Sequence, residues 1–428
     1  MTKPKRPRDL TRPGDVVTLE VTGWADGPDA VGRVGELVVF VFGALPGETV
    51  RARVTSVERR FARASLEEVV SPAPSRETPR CEVFSVCGGC DLQHAAYAAQ
   101  LEGKVGRLRR HLARVGVEEG LVRAVRTPED PWAQRTTVVL HARDGQCGFL
   151  RRGSREVVPV TSCPAAHPTV MAIATKAWTA CVDAGIAPLV TQITARIAPA
   201  TGETQLLVGL SAMDPRFLVI APTLGVDSAA AAVGNVVTLL HGTERIRDVI
   251  GGVALRVSPH AFFQTSASGA SALLETVREF VGTGRGSVLD LYCGGGLFAL
   301  GIASAAREVL GIEGSSIAIG DARAAAEAAG LGNVQFQTGD VGAWVTDALV
   351  RPDVVILDPP RTGCAPDVAG AIAGLSAARL VYVSCDLHAL ARDLGAFLAH
   401  GYAPVAVQPV DMFAHTHHLE VVVALDRT

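Results

Sequence analysis

An α/β protein ending in a Rossmann-like, doubly wound sheet is what this 428-residue sequence predicts, with a small β-barrel and a mixed-sheet domain ahead of it. Three observations carry the prediction. After Pro259 the chain alternates helical periodicity with short buried apolar runs, the pattern of parallel strands joined by helices. Several of those runs end in polar or small residues: Val288-Leu289-Asp290-Leu291 before Tyr292-Cys293-Gly294-Gly295-Gly296, Ile356-Leu357 before Asp358-Pro359-Pro360, and Val383-Ser384 before Cys385-Asp386. Ligands of open parallel sheets bind outside the carboxyl ends of the strands, so these termini share one cleft, and a cysteine there argues for covalent catalysis. Residues 15–70, by contrast, alternate with period two between Gly and Pro turns, which suggests a small closed barrel.

At this length two or three domains are expected, with boundaries placed at residues 1–70, 71–258 and 259–428. No run is apolar and long enough to cross a membrane, and the charged residues 1–12 precede no signal-peptide core, so a cytoplasmic protein without membrane attachment is expected, working as a monomer. Net charge is only −3, but the first 165 residues are net basic and the rest net acidic. Arg51, Arg53, Arg59, Arg60 and Arg63 form one basic group, and Lys104, Arg107, Arg109, Arg110 and Arg114 another. Each is the footprint of a phosphate-contacting surface or of a solvated face.

Taken in order, the barrel strands are read at Val16 to Val21, Glu36 to Val41 and Thr49 to Val54; Pro72, Pro74 and Pro79 then mark a linker. Residues 94–116 read as a basic amphipathic helix, with Leu101, Val105, Leu108, Leu112 and Val115 at helical spacing. Residues 136–256 are strand-rich and predict an antiparallel or mixed sheet. Nine cysteines, an odd number, fit metal ligation or catalysis better than a disulfide framework. Cys81, Cys87 and Cys90 lie within ten residues and Cys163 precedes Pro164; four soft ligands of this kind suit an iron-sulfur cluster, with structural zinc the competitor. Cys147 and Cys181 read as buried small hydrophobes.

In the C-terminal part, the glycines of Gly294-x-Gly296 let a ligand approach the backbone closely, and Glu313, at the end of the second strand, can accept two ribose hydroxyls. That pair suits NAD and S-adenosylmethionine equally. Asp340, after the third strand, is placed for an adenine amine. The loop Asp358-Pro359-Pro360-Arg361-Thr362-Gly363 has no use in a dehydrogenase and favours a base-modifying methyltransferase.

Together these segments resemble the RNA uracil-5-methyltransferase family, specifically its branch bearing a TRAM barrel and an iron-sulfur cluster and acting on large-subunit ribosomal RNA. The resemblance is carried by Phe42-Gly43-Ala44-Leu45-Pro46-Gly47 in the barrel, the four cysteines, Phe262-Phe263-Gln264, the glycine turn, the Asp-Pro-Pro loop, Tyr382-Val383-Ser384-Cys385, and Asp411-Met412-Phe413 through His418-Leu419-Glu420. It implies S-adenosylmethionine as methyl donor, a 4Fe-4S cluster on Cys81, Cys87, Cys90 and Cys163, and RNA as partner, ribosomal first and transfer RNA second. It further implies that Gln264, Tyr292, Gly294, Gly296, Glu313, Asp340 and Asp358 bind the cofactor, that Phe262 and Asp358 meet the base, that Cys385 is the nucleophile and that Glu420 is the general base. Three positions depart from the family pattern. Leu387 stands where a proline is usual, Leu297 where Asn is frequent, and the basic run near Trp132 is reduced to Arg135. A cytosine-5 enzyme would carry a Pro-Cys loop, which is absent, and a non-catalytic iron-sulfur RNA-binding factor would not need both Cys385 and Glu420.

Overall fold

The computed structural model describes residues 12–428; the opening charged residues up to Thr11 lie outside the described residues. The chain divides into two compact units, residues 12–108 with 415–417, and residues 109–414 with 418–428.

The first unit opens with β1 (Val16–Trp24), β2 (Ala30–Val34), β3 (Leu37–Phe42), β4 (Thr49–Val57) and β5 (Phe61–Ser71), closed into a barrel in the order β1-β2-β3-β5-β4. Burial alternates along each strand, so Leu19, Val21, Val39, Val41, Val50, Ala52 and Val54 fill the interior while charged neighbours face out. Closure leaves no edge strand to pair elsewhere. The Glu48 carboxylate, buried at the barrel end, accepts from the amides of Leu45 at 2.8 Å and Ala73 at 3.2 Å and pairs with Arg76. Burial alone would raise its pKa, but the bonds from Arg76, Leu45 and Ala73 outweigh it and hold the carboxyl below its usual range.

The basic surface differs from the sequence reading. Arg51, Arg53 and Arg63 pair with Glu68, Glu67 and Asp29, leaving the exposed Arg59 and Arg60, in the β4–β5 turn, as the barrel's least compensated cations. The helix read at 94–116 is α1 (Tyr97–Arg114). Two of its expected phosphate-contacting residues are buried instead: Lys104 is 1 % exposed, and Arg107 donates to the carbonyls of Asp26 at 2.9 Å and of His417. Leu108 and Leu112 set the helix's buried face, and Gly103 lies directly against the Trp24 ring, so both cations are drawn under with the apolar stripe, the Arg107 guanidinium bonded to carbonyl oxygens.

The second unit contains two seven-stranded sheets with separate cores. β6 (Thr137–Arg143), β7 (Gln146–Leu150), β8 (Val157–Pro159), α2 (Pro168–Asp183), β9 (Val190–Ile197), β10 (Thr204–Leu210), α3 (Pro215–Ile220), β11 (Ser228–Val233) and β12 (Val236–Gly242) build a mixed seven-stranded sheet, ordered β12-β11-β10-β9-β6-β7-β8 with β10 and β11 parallel. Its core takes Ile193, Leu206, Val208, Met171 and Phe217, and includes Cys147 and Cys181, whose thiols burial pushes up to about 11.

A hairpin follows, β13 (Ile246–Ile250) and β14 (Val253–Val257). The sequence reading groups it with the central sheet, ahead of residue 258. Its inward residues Ile250, Val253 and Leu255 join the C-terminal core beside Leu273, Leu274 and Val277, because alternating burial gives the hairpin one apolar face and that face meets α4 (Ala267–Val281). Then come β15 (Arg285–Leu291), α5 (Leu297–Gly301), β16 (Ala306–Glu313), α6 (Ser316–Ala328), β17 (Val334–Thr338), α7 (Val341–Asp347), β18 (Val354–Leu357), α8 (Pro366–Gly374), β19 (Arg379–Ser384), α9 (Leu387–Ala399), β20 (Tyr402–Val410) and β21 (Glu420–Arg427). The sheet runs β17-β16-β15-β18-β19-β21-β20, parallel except for β21. After the glycine turn α5 is short, stopping at Gly301, and a 3-10 turn over Ala303–Ala305 follows it. No helix among the described residues is long and apolar enough to cross a membrane.

Candidate active site

Strand register assembles the site. Leu291 pairs with Ile312 on one side and Leu357 on the other, and Leu357 pairs with Tyr382, so the residues that follow β15, β16, β18 and β19 emerge side by side. β21 runs the other way. Ser384 pairs with Val421, which sets Cys385 opposite Glu420, one at a strand end and one at a strand start. Two residues 35 positions apart in sequence are thereby forced together by one ladder.

The glycine turn after β15 is built for close approach. Tyr292 sits at φ 61°, a left-handed conformation a bulky residue adopts only under constraint, and Gly296 at φ 85°. A Cβ on Gly296 would stand 2.9 Å from the Phe336 ring and 3.1 Å from Ala322 Cβ, so only glycine closes this turn. Glu313 is held at its rim, accepting from the Ser315 amide at 2.8 Å and the Gly294 amide at 3.3 Å. Asp340 caps α7, accepting from the Ala343 amide at 2.8 Å, and with Glu313 lies near enough to Tyr292 to add to the burial that raises its phenol. Asp290, which the sequence reading gave no role, is fully buried. One carboxylate oxygen accepts from the Ala299 amide at 2.9 Å and the other has no partner among the described residues, an orphan acceptor that burial, and then the charges of Asp358 and Glu313, push well toward protonation.

Around Cys385 the electrostatics are dominated by burial. The thiol is pushed up to about 12, first by desolvation and then by Glu420 and Asp358, with Arg361 opposing. Glu420 is buried, and burial with the charge of Asp358 raises its carboxyl; its Oε2 has no partner in the structure. Asp358 is raised by burial. A half-buried thiol, two raised carboxyls and one guanidinium form a compact acid-base set of the kind that clusters at functional sites. The set can deliver a nucleophile and take up a proton beside it. Leu387 opens α9 where the sequence resemblance leads one to expect a proline. Asp386 compensates by capping α9, accepting from the amides of His388 at 3.0 Å and Ala389 at 2.8 Å.

Sequence reasoning missed the support beneath the Asp-Pro-Pro loop. Asp393 on α9 is buried; its Oδ2 accepts from the Tyr382 hydroxyl at 2.7 Å and the Cys364 amide at 2.8 Å, and its Oδ1 from Arg392 Nε at 2.9 Å. Arg392 in turn donates to the carbonyls of Thr362 at 2.7 Å and Cys364 at 3.0 Å. A Cβ on Gly363, at φ 70°, would run into both side chains. An adjacent Arg-Asp pair on a helical pattern reads as surface charge; what gives it away is only the contact across 29 residues of sequence.

Phe262 is 77 % exposed and Gln264 half-buried, both on the stretch joining β14 to α4. Cys81, Cys87 and Cys90 belong to the first unit and Cys163 to the second. In the first unit the Gly89 amide donates to Cys87 Sγ at 3.4 Å, and Asp91, beside Cys90, pairs with His417 at 2.6 Å.

Comparison with known proteins agrees with this geometry. Residues 10–66 match the TRAM domain, 283–379 a methyltransferase domain, and 347–428 the tRNA (uracil-5-)-methyltransferase model. An uncharacterized RNA methyltransferase of Gloeobacter violaceus is 33 % identical over 100 % of this chain and 99 % of its own length, and one of Caldanaerobacter subterraneus is 31 % identical over 97 % and 98 %. Among solved structures, the Pyrococcus abyssi tRNA (uracil-54, C5)-methyltransferase in complex with S-adenosyl-L-homocysteine superposes with a TM-score of 0.79 at 25 % identity, covering 96 % of this chain and 100 % of that one.

Proposed function

We propose, for a chain that belongs to the TRAM-containing family of S-adenosylmethionine-dependent RNA uracil-5-methyltransferases, that its substrate is a uridine of large-subunit ribosomal RNA and that Cys385 and Glu420 carry the reaction. The observation that supports these roles is the β19–β21 register, which sets the thiol of Cys385 against the carboxyl of Glu420. C5 of uracil is a weak nucleophile. Addition of the Cys385 thiolate to C6 forms an S–C6 bond and moves the C5–C6 π electrons into an enolate, which makes C5 reactive. S-adenosylmethionine supplies an electrophilic methyl group, and its carbon-sulfur bond breaks as C5 takes the methyl. Glu420 then accepts the C5 proton, the double bond re-forms and Cys385 leaves as thiolate.

Burial holds Cys385 as the neutral thiol, so its proton passes to solvent as the thiolate forms, and the same trait makes that thiolate a strong nucleophile. Arg361 lowers the cost of that ionisation and Asp358 faces the base. Phe262 offers a stacking surface for a base flipped out of its helix. The cofactor is held by Gln264, Tyr292, Gly294, Gly296, Glu313, Asp340 and Asp358. The orphan oxygen of Asp290 and the crowded glycine turn fit a ligand carrying donors and lying against backbone. Cys81, Cys87, Cys90 and Cys163 are read as 4Fe-4S ligands, supported by their spacing and by the Gly89 amide aimed at sulfur.

Transfer RNA is the second reading. It is favoured by the model matched over 347–428 and by the Pyrococcus abyssi enzyme, whose name gives a transfer RNA uridine. The test is to incubate the purified protein and labelled methyl donor with ribosomal and transfer RNA from a deletion strain, then digest to nucleosides. Label in 5-methyluridine from large-subunit RNA is expected. Label confined to transfer RNA would move the substrate assignment, and none in either would overturn the reading.

A further inference from the structure

Arg196, on β9, is buried at 6 % exposure, flanked in register by Thr137 on β6 and Gln205 on β10. A guanidinium out of water must bond through its donors. Its Nε donates to Thr137 Oγ1 at 3.2 Å and its Nη1 to Gln205 Oε1 at 3.0 Å. The remaining bonds leave the sheet: Nη1 to the Ser258 carbonyl at 3.4 Å and Nη2 to the Ala261 carbonyl at 2.9 Å. Burial lowers its pKa to about 10 against the opposing charges of Asp321 and Asp248, so it stays cationic at neutral pH. Those carbonyls belong to the stretch that carries Phe262 and Gln264.

The same stretch is pinned along its length. Gln205 Nε2 donates to the Val257 carbonyl at 3.1 Å, Asp321 accepts from the Ser258 amide at 2.7 Å, and the Thr136 amide donates to the Thr265 carbonyl at 2.8 Å. Ala261 is buried and Phe263 packs against two core clusters. Phe262, between two anchored neighbours, has nowhere to turn but outward. Leaving a phenyl 77 % exposed forfeits burial worth about 1.5–3 kcal/mol, so the conformation is imposed by the anchors rather than by Phe262 itself.

We propose that Arg196 is a positioning residue for the reacting base, its buried guanidinium fixing residues 257–265 so that Phe262 stands out as a stacking face. The role of Phe262 rests on the uracil reading above; the anchoring does not. Hydrogen exchange on the full-length protein separates the two. Arg196→Lys keeps the charge and loses the fork, so amide exchange across 257–265 should quicken about tenfold while the β6, β9 and β10 ladders keep their protection.

In methyl transfer, Arg196→Lys and Phe262→Ala should each raise KM for RNA about tenfold, the scale of one base-aromatic stack, with kcat little changed. The double variant should be no worse than Phe262→Ala, because Arg196 acts through that ring. Unchanged exchange at 257–265, or losses that multiply in the double variant, would overturn the proposal. If Phe262→Ala leaves RNA kinetics untouched, the stacking reading fails while exchange still decides the anchoring. Should Arg196→Lys not fold, Gln205→Met, which cuts the bonds to Arg196 and Val257, must loosen the same stretch, and unchanged exchange there sinks the idea.

Discussion

Replacing Asp393 with Ala removes the acceptor on which the Asp-Pro-Pro loop is hung. Two buried donors, the Tyr382 hydroxyl and the Cys364 amide, would lose their partner, and each orphan costs about 1–3 kcal/mol. The ion pair to Arg392 adds little, because the arginine side chain is half exposed and surface pairs are worth about 0–1 kcal/mol. The expected loss is therefore about 2–6 kcal/mol, read as a lower urea midpoint at unchanged slope. Tyr382→Phe removes one of the two donors, so in the Asp393→Ala background it should restore about 1–2 kcal/mol, although alone it destabilises. Methyl transfer should fall about a hundredfold, since the loop carrying Asp358 and Arg361 loses its placement, while cofactor affinity, resting largely on the β15 and β16 ends, is kept. If Asp393→Ala costs under about 1 kcal/mol, or Tyr382→Phe costs the same in both backgrounds, the hydrogen bonds are not what holds the loop.

Other outcomes follow from the same site. Glu420→Gln should form the S–C6 adduct and transfer the methyl but fail to remove the C5 proton, so denaturing gels should show an RNA-protein band that disappears when Cys385→Ala is added; free protein alone, with RNA binding confirmed, would count against Glu420 as base. Asp358 has a raised carboxyl in the folded state, so its contribution to stability is complete below the unfolded value of about 4 and is lost as pH rises toward and through neutral. Asp358→Asn should therefore be inactive yet more stable than the parent at pH 8 and not at pH 4, and equal stabilities at both would remove burial as the cause. Protein purified without oxygen should carry iron and sulfide near four of each per chain, lost in Cys87→Ser; stoichiometric zinc without sulfide would replace the cluster by a zinc site.

The glycine turn, the carboxylates at the strand ends and Cys385 could be placed from the sequence because each sits at the end of a short apolar run, where period and punctuation announce a loop. Cys385 and Glu420 could be named separately, but their meeting depends on β21 running antiparallel, a fact of topology. Lys104 and Arg107 were misread because a basic residue at helical spacing looks the same whether it meets phosphate or a carbonyl oxygen; only the packed neighbours decide. The hairpin of β13 and β14 was assigned to the wrong core for a similar reason, since alternation identifies an apolar face without saying what covers it. Asp393 and Arg196 left no local signal at all. Apart from the neighbouring Arg392, their partners lie 9 to 65 residues away, and buried polar anchors are visible only once the chain is folded.

Mass spectrometry of a single modified nucleoside tests the central claim most directly. The purified protein should convert uridine to 5-methyluridine in unmodified RNA when S-adenosylmethionine is supplied, and Cys385→Ala should abolish that product while retaining cofactor binding. A methyl group found on any atom other than C5, or 5-methyluridine still formed by Cys385→Ala, would contradict the covalent mechanism proposed for this site.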